Sequence, residues 1–477
     1  LSPLYLPLTE QLRQFHSGQL SPVTLMQQSL LRIARHNPAL NAFNFVFADT
    51  ALAQAELAAK AYREGTAGPL CGLPLAIKDE TYIKGQITTN GSRCLADFVA
   101  KETDPAAQRL LDAGAIVLGR TTTPEFSTSA VTWSDLWGVS RNPWNADITC
   151  GGSSGGSAIA VASGMASFAN ATDIGGSVRI PAAFCGLYGY KPPHGRVAEI
   201  SPYNIDLYCH HSILTRSLAD LRYVYPLLRG TDWRDSHSFV PDTNPDLAPR
   251  KPVKQLKIAV CAHLGFYPLA SDIKRELLRS ADALRAQGLQ VDEVELDWDE
   301  RVIDTAKIQQ RALMGLLLRR QFGKPEQRAM MTPYMQQYLA QVDSLTPEQM
   351  LDANLYLCQM WDALARVFKH YDLLLCPTVA TSDIRPDFDY SQHQVSVEGK
   401  TVDANKGWFM TYPFNSLSQC PVLAMPNGFC DNGVPSSVQI VGQPYQEGDV
   451  FAVAQLLADT VASGFYQKVL PPLAEPV

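Results

Sequence analysis

Two glycine-rich turns, each carrying serine, constrain this chain more than any other feature. They are GGSSGGS at 151–157 and DIGGSVR at 173–179, joined by a mostly apolar segment. Glycine loses more conformational freedom on folding than any other residue, so such density points to positive φ or close backbone approach. Successive N–H groups in such turns form a concave donor for an anion. A serine at the end of that nest is what acyl transfer needs, a nucleophile beside an oxyanion site. One glycine turn with a serine is usually just a turn. Two of them, with Lys78 ending the apolar run of GLPLAIKDETYIKG upstream, make a far more specific set.

This set resembles the amidase signature family, serine hydrolases that cleave carboxamides. The resemblance is specific over residues 69–197 and continues more weakly to the C-terminus. It implies a catalytic lysine at Lys78, a proton-relaying serine behind a cis peptide bond at Ser153, and the nucleophile at Ser177. It places the oxyanion donors on the turn backbone at Ile174, Gly175, Gly176 and Ser177. Ser154, Thr172, Asp173 and Arg179 support the site in this reading, with an Asp173–Arg179 ion pair bracketing the nucleophile turn and Ser154 bracing its own. The family's pocket-lining segment matches TTTPEF at 121–126, which puts Thr123 and Phe126 at the substrate. Trp408 and Tyr412 are aromatic candidates for an apolar pocket wall, although core packing is the commoner role of such residues. The family often has methionine at Thr123 and glycine at Ser418 and Ser436, so local pocket shape differs here.

The implied fold is α/β, a mixed, mostly parallel central sheet covered by helices on both faces. The matching segments occur towards both ends, which implies a single domain over 1–477, with a catalytic core near 69–197 and a variable pocket region near 198–412. Local patterns agree. Residues 73–77 read as a buried strand leading into Lys78. A helix over 105–113 and a strand over 115–119 follow, the rhythm of an α/β sheet. Small residues at 155–163 read as a helix whose N-terminus favours negative charge at the serine turns. Earlier, Ser21-Pro22 starts a helix that Asn37-Pro38 should end.

The chemistry follows from residue types. An amide is a poor electrophile, so the site must take the Ser177 proton during attack and protonate the leaving nitrogen. Free lysine, with a pKa near 10.4, is a poor base at neutral pH, and burial in an apolar setting should lower that value. Neutral Lys78 would then draw a proton through Ser153, whose hydroxyl donates and accepts at once. Strand alternation turns Asp79 away from Lys78, where a carboxylate in contact would keep the ammonium charged.

Two other readings remain open. GGSSG also fits the nucleophile elbow of α/β-hydrolases, with Ser153 attacking, but this leaves Lys78 and DIGGS unexplained. The glutamine-hydrolysing A subunit of a tRNA-dependent amidotransferase shares all three motifs and would require partner chains.

Composition narrows the rest. Of 477 residues, 46% are hydrophobic and the net charge is −7, which argues against a general grip on nucleic acid. Ten cysteines without a CxxC pair and nine histidines without an HExxH motif suggest buried thiols, no metal and no organic cofactor. No apolar run reaches the ~20 residues of a membrane span. The expected partner is a small-molecule amide, with neither nucleic acid nor membrane, and a homodimer is an assembly open to it. A cytoplasmic location is expected, with a removed targeting peptide left open by the absent initiator methionine.

Overall fold

The computed structural model describes residues 2–474. Eleven strands form one mixed sheet. In chain order they are β1 (Phe43–Val46), β2 (Pro74–Lys78), β3 (Ile116–Thr121), β4 (Phe168–Thr172), β5 (Tyr188–Lys191), β6 (His211–Thr215), β7 (Lys257–Val260), β8 (Gln290–Glu293), β9 (Leu373–Pro377), β10 (Val422–Phe429) and β11 (Pro435–Gly442). Across the sheet they run β1-β3-β2-β4-β6-β5-β10-β11-β9-β7-β8. Parallel ladders join β3, β2 and β4 on one side and β9, β7 and β8 on the other. Antiparallel ladders connect the two groups.

Strands β2, β3 and β4 are buried along their whole length. That is why β2 and the first half of β3 read as apolar runs and not as alternation: helices cover both faces. The helix Pro105–Asp112 makes the crossover that two parallel neighbours, β2 and β3, require. Helix Gly155–Ala162 is buried at every position, and only a run as small as GGSAIAVA fits there. One boundary differs from expectation. Pro22–Leu40 continues through Pro38 and stops at Asn41 in the left-handed region. Asn37 does not end it; its side-chain oxygen accepts the N–H groups of Ala42 and Phe43 at 2.8 Å each, fixing the exit of the chain.

Helices Arg301–Gln310, Leu316–Phe322 and Pro333–Asp343 follow in the chain, and the last two pack against the TTTPEF segment. Their Leu318, Tyr334 and Met335, with Met314 of the π-helical turn Arg311–Gly315, form an apolar cluster with Phe126. Buried Glu125 ties the TTTPEF segment to these helices, accepting from Thr332 N at 2.7 Å and Thr332 Oγ1 at 2.8 Å. Among the described residues no helix is long and apolar enough to cross a membrane.

Candidate active site

Adjacent parallel strands deliver their C-terminal residues to one edge, and here β2 and β4 deliver Lys78 and Thr172. Asn170 Oδ1 accepts the Lys78 backbone N–H at 2.7 Å and locks that register. Lys78 Nζ is fully buried and has three acceptors: Ser153 Oγ at 2.7 Å, Thr172 Oγ1 at 2.7 Å and Glu80 Oε2 at 2.6 Å. An ammonium has three protons, so this arrangement satisfies the charged form completely. Thr172 Oγ1 donates to the same Glu80 oxygen at 2.6 Å.

Asp79 does face away, as alternation requires. It accepts from Asn44 Nδ2 at 2.7 Å and Thr89 N at 3.1 Å and lies 3.6 Å from Arg120 Nε. A different carboxylate, that of Glu80, nonetheless reaches Lys78. Glu80 is two residues beyond Lys78, and a period of two returns to the same face, so the signal was in the sequence. Burial opposes the Glu80 charge, but the Lys78 ammonium and the hydrogen bonds from Lys78 and Thr172 outweigh it and hold the carboxyl below its usual range.

The Gly152–Ser153 peptide bond is cis. Ser154 Oγ donates to the Thr172 carbonyl at 3.4 Å, a brace between the serine turn and β4. The DIGGS turn that carries Ser177 is organised by Asp173. Its carboxylate accepts from Arg179 Nε and Nη2 at 2.9 Å each, Gly176 N at 2.7 Å, Asn415 Nδ2 at 2.8 Å and Val178 N at 3.3 Å. Burial opposes this charge too, but the Arg179 guanidinium holds the Asp173 carboxyl well below the usual carboxylate range.

That network narrows the candidate oxyanion donors. The Gly176 amide is engaged by Asp173, so it drops out of the expected set. The amides of Ile174, Gly175 and Ser177 meet no protein acceptor among the described residues. The carbonyl of Ile174 accepts from Gln310 Nε2 at 3.1 Å, which fixes the peptide that carries the Gly175 amide, and that of Gly175 accepts from Thr411 Oγ1 at 2.6 Å, which fixes the peptide of the engaged Gly176 amide. Gly176 must be glycine: φ is +125°, and a Cβ would sit 1.9 Å from Thr411 Oγ1.

Ser177 opens on a small pocket shared with Ser127, Gln310, Lys406 and Phe409. Lys406 was not foreseen. Burial and the charge of Lys307 push its ammonium down to about 7, and it lies over the Phe409 and Tyr412 rings. A cavity of about 550 Å³ adjoins the Lys78 end of the site, lined by Glu80, Thr172, Phe126 and Tyr203 among others.

Of the four expected pocket residues, Phe126 lines this cavity. It does so at φ +50°, with Ser127 at +58°, a left-handed pair of non-glycine residues that turns the segment sharply at the site. The other three are corrected. Thr123 is buried behind the wall, 3.0 Å from Ser127 Oγ. Trp408 packs in the core between Phe184 and Phe409. Tyr412 accepts a hydrogen bond from the Tyr267 hydroxyl in the same core. Large aromatic area favours full burial unless something else fills the core, and nothing local in the sequence tells these two cases apart.

Among the described residues no group of three or more His, Cys, Asp or Glu side chains is arranged to hold a metal ion. The amidase family model matches residues 24–451. An acylamidase of Rhodococcus erythropolis is 30% identical over 94% of both chains. The A subunit of a glutamyl-tRNA(Gln) amidotransferase of Prochlorococcus marinus is 29% identical over 93% of this chain and 95% of that one. The solved structure of a bacterial aryl acylamidase of the amidase signature enzymes superposes with a TM-score of 0.90 at 27% identity, covering 99% of each chain.

Proposed function

The chain belongs to the amidase signature family, and from that premise we propose that Lys78, Ser153 and Ser177 carry its reaction through an acyl-enzyme on Ser177. The reaction is hydrolysis of an amide C–N bond. The observation that carries the assignment is the fully buried Lys78 Nζ held 2.7 Å from Ser153 Oγ. Turnover begins when Lys78 gives up one of its three protons. Thr172 and Glu80 connect it to the adjoining cavity, which supplies a route to water.

Ser177 Oγ then attacks the carbonyl carbon while its proton passes to Ser153 and the Ser153 proton to Lys78. The carbonyl oxygen becomes an oxyanion facing the free amides of Ile174, Gly175 and Ser177, and one such donor lowers a barrier by roughly 3 kcal/mol. Collapse breaks the C–N bond, and the relay run backwards protonates the leaving nitrogen. Water repeats the sequence on the Ser177 ester and frees a carboxylic acid. The product released in the first half is ammonia or an amine.

The test is the purified chain alone, given hexanamide and hexananilide, with ammonia or aniline release as readout. A mass increase equal to the acyl group, absent in Ser177→Ala, identifies the nucleophile. Release without any such dependence on Ser177 refutes the assignment. The likeness to amidotransferase A subunits supports a second reading, a glutaminase that requires partner chains. Activity on simple amides without any partner argues against it; activity that appears only with partner chains argues for it.

A further inference from the structure

The cavity beside Lys78 is charged in an unbalanced way. Glu80 and Thr172 form its inner wall, and both touch Lys78 Nζ. Asp104, Glu199 and His211 also line it. Glu199 Oε2 pairs with His211 Nε2 at 3.0 Å, yet Glu199 Oε1 and His211 Nδ1 have no hydrogen-bond partner among the described residues. Both side chains are more than nine-tenths buried, at 6% and 4% exposure. The Asp104 carboxylate accepts the Tyr82 backbone N–H and has no ion-pair partner among the described residues.

Among the described residues these three carboxylates have two cations within ion-pair distance, Lys78 on Glu80 and His211 on Glu199; buried Arg120 acts on Asp104 only at longer range and is paired with Asp79. Burying a charge without a partner is costly, and here burial with the neighbouring Glu199 and Glu80 raises the Asp104 carboxyl to about 7 even though His211 opposes this. The rest of the lining includes the rings of Phe98, Phe126, Tyr203 and Phe322 beside neutral polar groups such as Asn90 and Gln321.

We propose that this cavity is a subsite for an alkylammonium group, and that the amides this chain cleaves best carry a protonated amine on a short apolar chain. The inference rests on the amide-hydrolase reading and names the substrate class for it. An ammonium brings the donor that Glu199 Oε1 lacks and the counter-charge that Asp104 lacks, and it neutralises the surplus charge. The aromatic faces attract a cation and cover its alkyl stem. A carboxylate or phosphate in the same place meets like charges and is rejected. The acids do not converge as metal ligands, so a divalent ion does not fit.

Calorimetric titration with n-hexylammonium chloride and with 1-hexanol tests the subsite without any hydrolysis. The wild-type chain should bind hexylammonium at least about tenfold tighter than hexanol. Glu199→Gln and Asp104→Asn should each reduce that ratio by about tenfold, and if one variant does not fold the other decides. Equal binding of hexanol, or a ratio unchanged in a folded variant, overturns the proposal. The parallel measurement is kcat/KM for 6-aminohexanamide against hexanamide, with the cationic amide favoured. Hydrolysis of hexanamide without preferential hexylammonium binding refutes the subsite and leaves the amidase reading intact. Tight hexylammonium binding without cleavage of any amide supports the subsite and refutes the reaction.

Discussion

Replacing Asp173 with asparagine probes the frame that holds the nucleophile. In the wild type, Arg179 Nη2 and Gly176 N converge on Asp173 Oδ1, while Arg179 Nε and Val178 N converge on Oδ2. An asparagine places an NH₂ donor against one of those pairs of donors. It also leaves Arg179, fully buried, with neutral acceptors alone: the variant's one amide oxygen, Thr411 O, Gln439 Oε1 and Asn415 Oδ1. Removing one partner of a buried ion pair costs roughly 3–5 kcal/mol. The change should appear as a lower urea midpoint at pH 7. Labelling of Ser177 by a fluorophosphonate should slow on the order of 100-fold, the effect of displacing a reacting group by about 1 Å. The pH dependence gives a second check. Arg179 holds the folded Asp173 carboxyl below its unfolded value, so its stabilisation is complete above about 3.9 and is lost as pH falls below that. The gap between wild type and variant should therefore narrow from pH 5 towards pH 2. Adding Arg179→Gln should cost less than the sum of the two single changes. A midpoint within about 1 kcal/mol of wild type at pH 7, with unchanged labelling, would refute the argument.

Other expectations follow from the same geometry. Ser177→Ala should abolish amide hydrolysis and fluorophosphonate labelling, whereas Lys78→Ala should abolish turnover with the chain still folded by circular dichroism; label recovered on Ser153 would make that serine the nucleophile. Although burial opposes it, Glu199 pushes the His211 imidazolium up to about 9, so this pair stabilises the fold fully below about 6.5 and loses its contribution as pH rises through 9. Urea midpoints should fall between pH 7 and pH 10 by an amount worth up to about 3 kcal/mol, and Glu199→Gln should flatten that fall; parallel slopes would contradict it. Gly176→Ala, whose Cβ meets Thr411 Oγ1, should cost at least about 3 kcal/mol and abolish labelling, while Gly399→Ala, with nothing within 4 Å, should cost only about 1 kcal/mol. Similar losses at the two glycines, read from urea midpoints, would show that backbone φ alone decides.

The serine turns could be read from the chain because their chemistry is local. A nest of glycines beside a serine needs positive φ and free amides within a few residues, and Gly176 with its +125° shows that need directly. The Asp173–Arg179 pair spans six residues and was equally legible. Strand β2 revealed itself as an apolar run because helices bury both of its faces. Even Glu80 was accessible, since strand alternation that turns Asp79 away brings the next residue back to Lys78. What tertiary structure decided is everything that depends on which distant segments meet. Trp408 and Tyr412 look like pocket aromatics in sequence and lie in the core, because Phe184 and Tyr267 happen to pack against them. The cavity wall draws Glu80, Asp104, Glu199, His211 and Phe322 from separate loops, strands and helices. The surplus carboxylate there exists only once those segments are folded together. Side-chain identity and short spacing determine a backbone nest; the field inside a cavity is a sum over charges whose separations the sequence does not contain.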